Sequence, residues 1–161
     1  MDAAVEVEVA ATIKGLGDLA KRMKVAGYFI TDDAIHAIQK RAVALAPQGE
    51  PGNTTNPPGD LKSHIATEGP KGTTTRWVGK VGPAVVSNNR WAHNYGGQRE
   101  FGGTITAHNL SGHLFFKKFD QWYSPVSVKQ TGAHYLLRAR IFAIPTIKRS
   151  MIKRLTEAIV V

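Results

Sequence analysis

In two runs between Leu16 and Leu45 apolar residues return every third or fourth position, at Leu16, Leu19, Met23, Ala26 and Ile30 and then at Ile35, Ile38, Ala42 and Leu45. Steps of three and four place such residues along one face of a helix. Pro47 closes the run, because the residue before a proline is pushed out of the α region. The spacing predicts one long helix, or two with a break between Gly27 and Asp33. An element of that length in a chain of 161 residues leaves room for little more than one domain, and residues 1–161 are read as a single one.

The flanks have a different texture. Val5-Glu6-Val7-Glu8-Val9 alternates apolar with acidic, the period of a half-buried strand. Gly15-Leu16-Gly17-Asp18 then reads as a turn into the helix, with Asp18 as its N-cap. After Pro47, residues 48–60 hold three Gly, three Pro and no large apolar side chain. Such a segment buries too little to offset its ordering entropy, so it reads as a flexible loop. From Leu61 to Gln130 come short β-like pieces at 61–67, 73–82, 84–87, 101–107, 113–119 and 125–130, with Gly96-Gly97 and Gly102-Gly103 as tight turns or bulges.

Residues 134–144 fit strand or helix equally. Pro145 suits the first turn of a final helix, with Ile147, Met151, Leu155 and Ala158 facing inward. The order predicts an α+β fold: an N-terminal strand and long helix packed on an antiparallel β-sheet, with a C-terminal helix. Expected core positions are Leu19, Met23, Ile30, Ile38, Ala42, Leu45, Ile105, Phe115, Met151 and Leu155. No internal repeat and no coiled coil is evident.

Charge divides the chain. Residues 1–60 carry 6 basic and 8 acidic side chains, a net of −2, whereas residues 61–161 carry 15 basic and 4 acidic ones, a net of +11. That asymmetry fits a polyanion or an acidic protein face as partner, set against a merely solvated basic surface. The start Met1-Asp2-Ala3-Ala4 lacks the basic and apolar regions of a secretory signal, and no stretch is apolar enough to span a membrane.

Reactive chemistry has little to stand on. With no cysteine, thiolate metal sites and cysteine nucleophiles are excluded. Gly15-Leu16-Gly17-Asp18-Leu19-Ala20 matches a dinucleotide fingerprint, but Asp32 and Asp33 lie where more helix is expected and not at the end of a second strand. The histidines His36, His64, His93, His108, His113 and His134 form no metal-binding spacing, and acidic partners are sparse. His93-Asn94 and His108-Asn109 faintly suggest a histidine-dependent nuclease but have no nearby carboxylate in sequence. Ser63 and His64, adjacent on an expected strand, would point to opposite faces. We therefore expect no enzyme, no catalytic residue, no metal and no cofactor. Basic residues interleave with Trp77, Trp91, Phe101, Phe116, Trp122 and Tyr135, a texture of single-strand binding. The simpler account puts the aromatics in the core and the basic groups in solvent.

Several short motifs follow a recognisable order. Arg41-Ala42-Val43-Ala44-Leu45-Ala46-Pro47 is followed by Gly59-Asp60-Leu61-Lys62-Ser63-His64-Ile65, then Trp91-Ala92-His93, Glu100-Phe101-Gly102-Gly103 and Leu114-Phe115-Phe116. The order resembles the tail-component and tail-completion proteins of tailed bacteriophages, small proteins of the head–tail joining region. Here the links 47–59 and 92–100 are longer than is usual there, and Ile144-Pro145-Thr146-Ile147 replaces a Pro-x-Arg-Pro-Phe ending.

The resemblance implies a virion protein at the head–tail junction, made in the host cytoplasm. It would assemble with copies of itself as a ring, by analogy a hexamer, beside other neck and tail-tube proteins. Candidate subunit-interface residues are Gly49, Pro51, Asn53, Pro57, Gly59, Tyr95, Gly97 and Phe101. Candidate residues facing packaged DNA in the channel are Arg76, Lys80, Lys117, Lys118, Lys148 and Arg149. The alternative is a small basic nucleic-acid-binding protein.

Overall fold

The computed structural model describes residues 3–48, 59–73, 75–83, 99–106, 116–118 and 121–160. The fold is α+β. Helix α1 (Ala3–Leu45) and helix α2 (Asp60–Ser63) precede strands β1 (Ala66–Gly72), β2 (Trp77–Gly82), β3 (Gly102–Thr106), β4 (Phe116–Lys118), β5 (Gln121–Tyr123) and β6 (Ser127–Thr131). Helix α3 (Tyr135–Ile159) follows. Among the described residues the strands pair as three two-stranded antiparallel ladders, β1–β2, β3–β6 and β4–β5.

The expected N-terminal strand at 5–9 is helix, because α1 begins at Ala3 and runs unbroken through Gly27 to Leu45. A strand needs a neighbour for its backbone N–H and C=O groups, whereas a helix satisfies them within itself. Alanine flanks on both sides and acidic residues near the N-terminus favour the helix. Gly15, Gly17 and Asp18 are therefore helix interior, not turn and cap; Asp18 pairs instead with Lys21 at 3.2 Å.

Two further boundaries move. The expected strand at 61–67 opens as helical turn α2, closed by Ser63 N–H to Gly59 C=O at 3.1 Å, and strand begins only at Ala66. In the expected strand at 73–82, Thr73 donates to Arg76 C=O at 2.9 Å and forms the β1–β2 hairpin turn. A β-carbon on Gly72 would meet that carbonyl at 2.1 Å, so only glycine fits there. The pieces at 101–107 and 113–119 contain β3 and β4, the piece at 125–130 overlaps β6, and 84–87 lies outside the described residues.

Pro145 does not open a helix. It sits within α3, which starts ten residues earlier at Tyr135. The missing N–H leaves the Ile141 carbonyl without its helical donor, a loss confined to one turn of a 25-residue helix.

α1 and α3 pack side by side. Asp33 meets Ser150, the Arg154 guanidinium lies 5.0 Å from the Phe29 ring centroid, and Ala158 shares a cleft with Arg22 and Ala26. Rising numbers on α1 thus match falling numbers on α3, an antiparallel pair. Ala139, Ala143, Ala158 and Ala26 are buried along it, small side chains that let two backbones approach. The β1–β2 hairpin covers another face of α1, where the Trp77 ring stacks edge-on to Tyr28 at 5.5 Å and passes over Gly27.

The main core cluster among the described residues is small. It comprises Ala42, Ala46, Leu61, Ile65, Tyr135 and Ala139, where the end of α1, α2 and the start of α3 meet. Of the expected positions, Ala42 is buried and Leu19, Ile30, Ile38, Leu45 and Leu155 are half-buried. Met23 and Met151 are exposed, because α1 and α3 meet through their alanines on other faces. The side chains of Ile105 and Phe115 lie outside the described residues.

Asp33 ties the two helices electrostatically. Its carboxylate accepts from Ser150 Oγ and from Arg154 Nε, the latter at 3.2 Å. Burial pushes its pKa up, but the Ser150 and Arg154 hydrogen bonds and the charges of Arg154 and His36 outweigh that and hold it below the usual value. A depressed carboxyl stabilises the fold in full above its unfolded pKa, about 3.9, and that share is lost as pH falls through the folded value. Asp33→Asn should cost roughly 1–2 kcal/mol at pH 7, hydrogen bonds to a charged group discounted for partial exposure. Urea midpoints at pH 7 and pH 3 check this: the gap between the two proteins should shrink in acid.

Candidate assembly surfaces

α3 carries two faces in different surroundings. One is turned to α1. The other presents Leu137, Ile141, Ile144, Met151, Ile152 and Ile159, each at least 40% exposed. Successive positions Leu137, Ile141, Ile144, Lys148, Met151 and Leu155 are separated by four, three, four, three and four residues, one stripe along the helix. From Leu137 to Ile159 the stripe runs about 33 Å at the α-helical rise. Exposed Lys148 lies within it, with exposed Arg138 and Arg149 along one border and exposed Arg140 along the other.

The start of α3 is fixed by a residue distant in sequence. Its N-cap, His134, has left-handed backbone (φ 48°) and offers no side-chain cap. The Glu100 carboxylate takes that role, accepting from Leu136 N–H at 2.7 Å and from Leu137 N–H at 2.9 Å. The neighbouring backbone is bonded to the same segment: Ala133 N–H donates to Arg99 C=O at 2.7 Å and His134 N–H to Glu100 C=O at 3.0 Å. Glu100 is only 4% exposed. A negative charge at a helix N-terminus meets free N–H donors and the positive end of the dipole.

Next to this joint a cleft of about 390 Å³ is lined by Ile35, Ile38, Val81, Leu137 and Arg140, with the exposed ring of Phe101 beside them. Phe101 and the stripe therefore share one surface.

Of the other sequence-predicted interface residues, Gly59 alone is among the described residues. Gly49, Pro51, Asn53, Pro57, Tyr95 and Gly97 lie outside the described residues, as do most of the 48–60 loop and the histidines His93, His108 and His113. Gly59 is described, and its φ of 90° starts α2.

Of the residues expected to face DNA, Lys148 and Arg149 are exposed on α3, and Arg76 and Lys80 are exposed on the β1–β2 hairpin. Lys117 and Lys118 belong to β4, with side chains outside the described set. Lys80 lies 3.4 Å from Glu68, whose pKa is lowered by hydrogen bonds to Lys71 and Lys80 and by their charges.

Among the described residues, no group of three or more His, Asp or Glu is placed to hold a metal ion. Ser63 and His64 do not diverge as a strand would make them; on the helical turn Ser63 Oγ comes within 3.2 Å of His64 Nδ1. Among the described residues, no helix is long and apolar enough to cross a membrane.

The α3 stripe was missed in sequence because Pro145 divided it. Read through the proline, the three–four spacing from Leu137 to Leu155 is legible. Comparison with protein-family models, curated proteins and solved structures finds no match for this chain.

Proposed function

We propose that this chain is a structural virion protein of a tailed bacteriophage, of the neck, tail-completion or tail-terminator class at the head–tail interface. It works by assembling with copies of itself into a ring that joins or caps the tail tube. The observation that carries this reading is the α3 stripe, a row of large apolar side chains about 33 Å long that one copy leaves in water. Contiguous exposed apolar surface rimmed by charge marks a protein interface.

The motifs of the resemblance support it from a second side. Ala42 and Ala46, Leu61 and Ile65, and Glu100 converge on the joint that holds α3 in place. Their work is to position an interaction helix. By analogy the ring is hexameric, with Lys148 and Arg149 available to neighbouring acidic surfaces or to DNA in the channel, where phosphate contacts are independent of sequence.

Negative-stain electron microscopy of the purified full chain tests the proposal. The expected result is closed rings of uniform diameter. Particles that stay monomeric at every concentration, with DNA binding that falls steeply with salt, would overturn it in favour of a small nucleic-acid-binding protein.

A further inference from the structure

We infer that the exposed stripe of α3 is the seat for the N-terminal part of α1 from a second copy of this chain. The inference rests on the assembly reading for the existence of self-association and adds the surfaces that make it.

α1 is much longer than its partner. Ala158, near the end of α3, lies against Arg22 and Ala26, so α1 residues before about position 20 continue past the end of α3. Positions 13–18 are exposed without interruption, including Ile13 at 66% and Leu16 at 62%. From Ala3 to Ala20 this arm measures about 27 Å, close to the stripe's own length. Because the helix is continuous and antiparallel to α3, the arm leads away from the stripe of its own molecule. Arm and stripe can therefore meet only between copies.

Pattern and charge match. In sequence, Val9, Ile13, Leu16, Ala20 and Met23 follow steps of four, three, four and three, the same alternation as Leu137 to Leu155. Two helices with that spacing interlock side by side. The first turns of the arm carry Glu6 and Glu8 and no basic residue before Lys14, whereas α3 has six basic residues and the single acid Glu157. A lysine within an apolar seam, as Lys148 is, specifies register, and charges flanking such a seam set partner choice by pairing with opposite charge. When each copy gives its arm to the next and receives one from the previous, the contact is heterologous and closes into a ring if the rotation allows.

The test is a charge exchange on the full chain, read by sedimentation velocity across a concentration series, with circular dichroism to confirm that each variant folds. Glu6→Lys with Glu8→Lys reverses the arm. Lys148→Glu with Arg149→Glu reverses the seat, and Ile141→Asp interrupts the stripe. Each change alone should weaken self-association at least tenfold. Combining the two charge reversals should recover most of the loss, which a general effect on folding would not do. If the wild-type chain associates and the variants associate equally well, or the combined reversal shows no recovery, this interface is wrong while assembly stands. If the wild-type chain never associates, both inferences fall.

Discussion

Replacing Glu100 with alanine should lower stability by about 3 kcal/mol, the loss of two hydrogen bonds to a charged acceptor offset by relief of a buried carboxylate. In a chain of this size that corresponds to a fall in melting temperature of roughly 6–12 °C. Leu136 and Leu137 would keep their N–H groups at a helix start with no acceptor, since His134 offers no side-chain cap. Glu100→Gln should cost about half as much, because one oxygen still accepts while the amide nitrogen faces a donor. Glu100→Asp keeps the charge but shortens the reach by one methylene, so it cannot serve both donors from the same backbone position. The order alanine, then glutamine or aspartate, then wild type in a thermal melt would identify the carboxylate as the cap. Equal loss in all three would point to packing alone.

Glu100 also illustrates what a sequence makes legible. The long helix was visible because its apolar repeat is local and Pro47 gives it an end. The Glu100-Phe101-Gly102 motif could be singled out, but its meaning could not. The carboxylate works on backbone groups 36 and 37 positions away, and no local pattern encodes that pairing. Alternation at Val5 to Val9 misled for the opposite reason. Five residues support a strand reading, yet a strand without a neighbour leaves its backbone unpaired, and a helix already under way on the C-terminal side extends through them. The expected core held at Ala42, with Ile38 and Leu45 packed against it, and missed at Met23 and Met151, which are exposed. Alanines line the helix contact beside buried Ile35 and Tyr135, so size alone did not tell which apolar residues of the two helices are inside.

The second large effect belongs to Tyr135, the one large side chain that is completely buried among the described residues. Tyr135→Ala should cost about 3–5 kcal/mol, since it empties the centre of a core otherwise made of alanines, Leu61 and Ile65. Tyr135→Phe should behave oppositely. Its hydroxyl is buried without a hydrogen-bond partner, so removing it relieves a desolvation cost and should leave stability unchanged or raise it by up to about 1 kcal/mol. The pair separates ring packing from the polar atom. The hydroxyl also gives an alkaline signature: burial first, and the Glu100 charge second, raise the phenol above its ordinary range. An acid whose folded pKa is raised contributes stability in full below its unfolded value, about 10, and loses it as pH climbs further. Wild type should therefore weaken above pH 10 more steeply than Tyr135→Phe in matched urea titrations. Parallel alkaline limbs, or a phenylalanine variant as damaged as the alanine one, would mean that the hydroxyl has a partner in solution and that the joint beneath α3 is not dry.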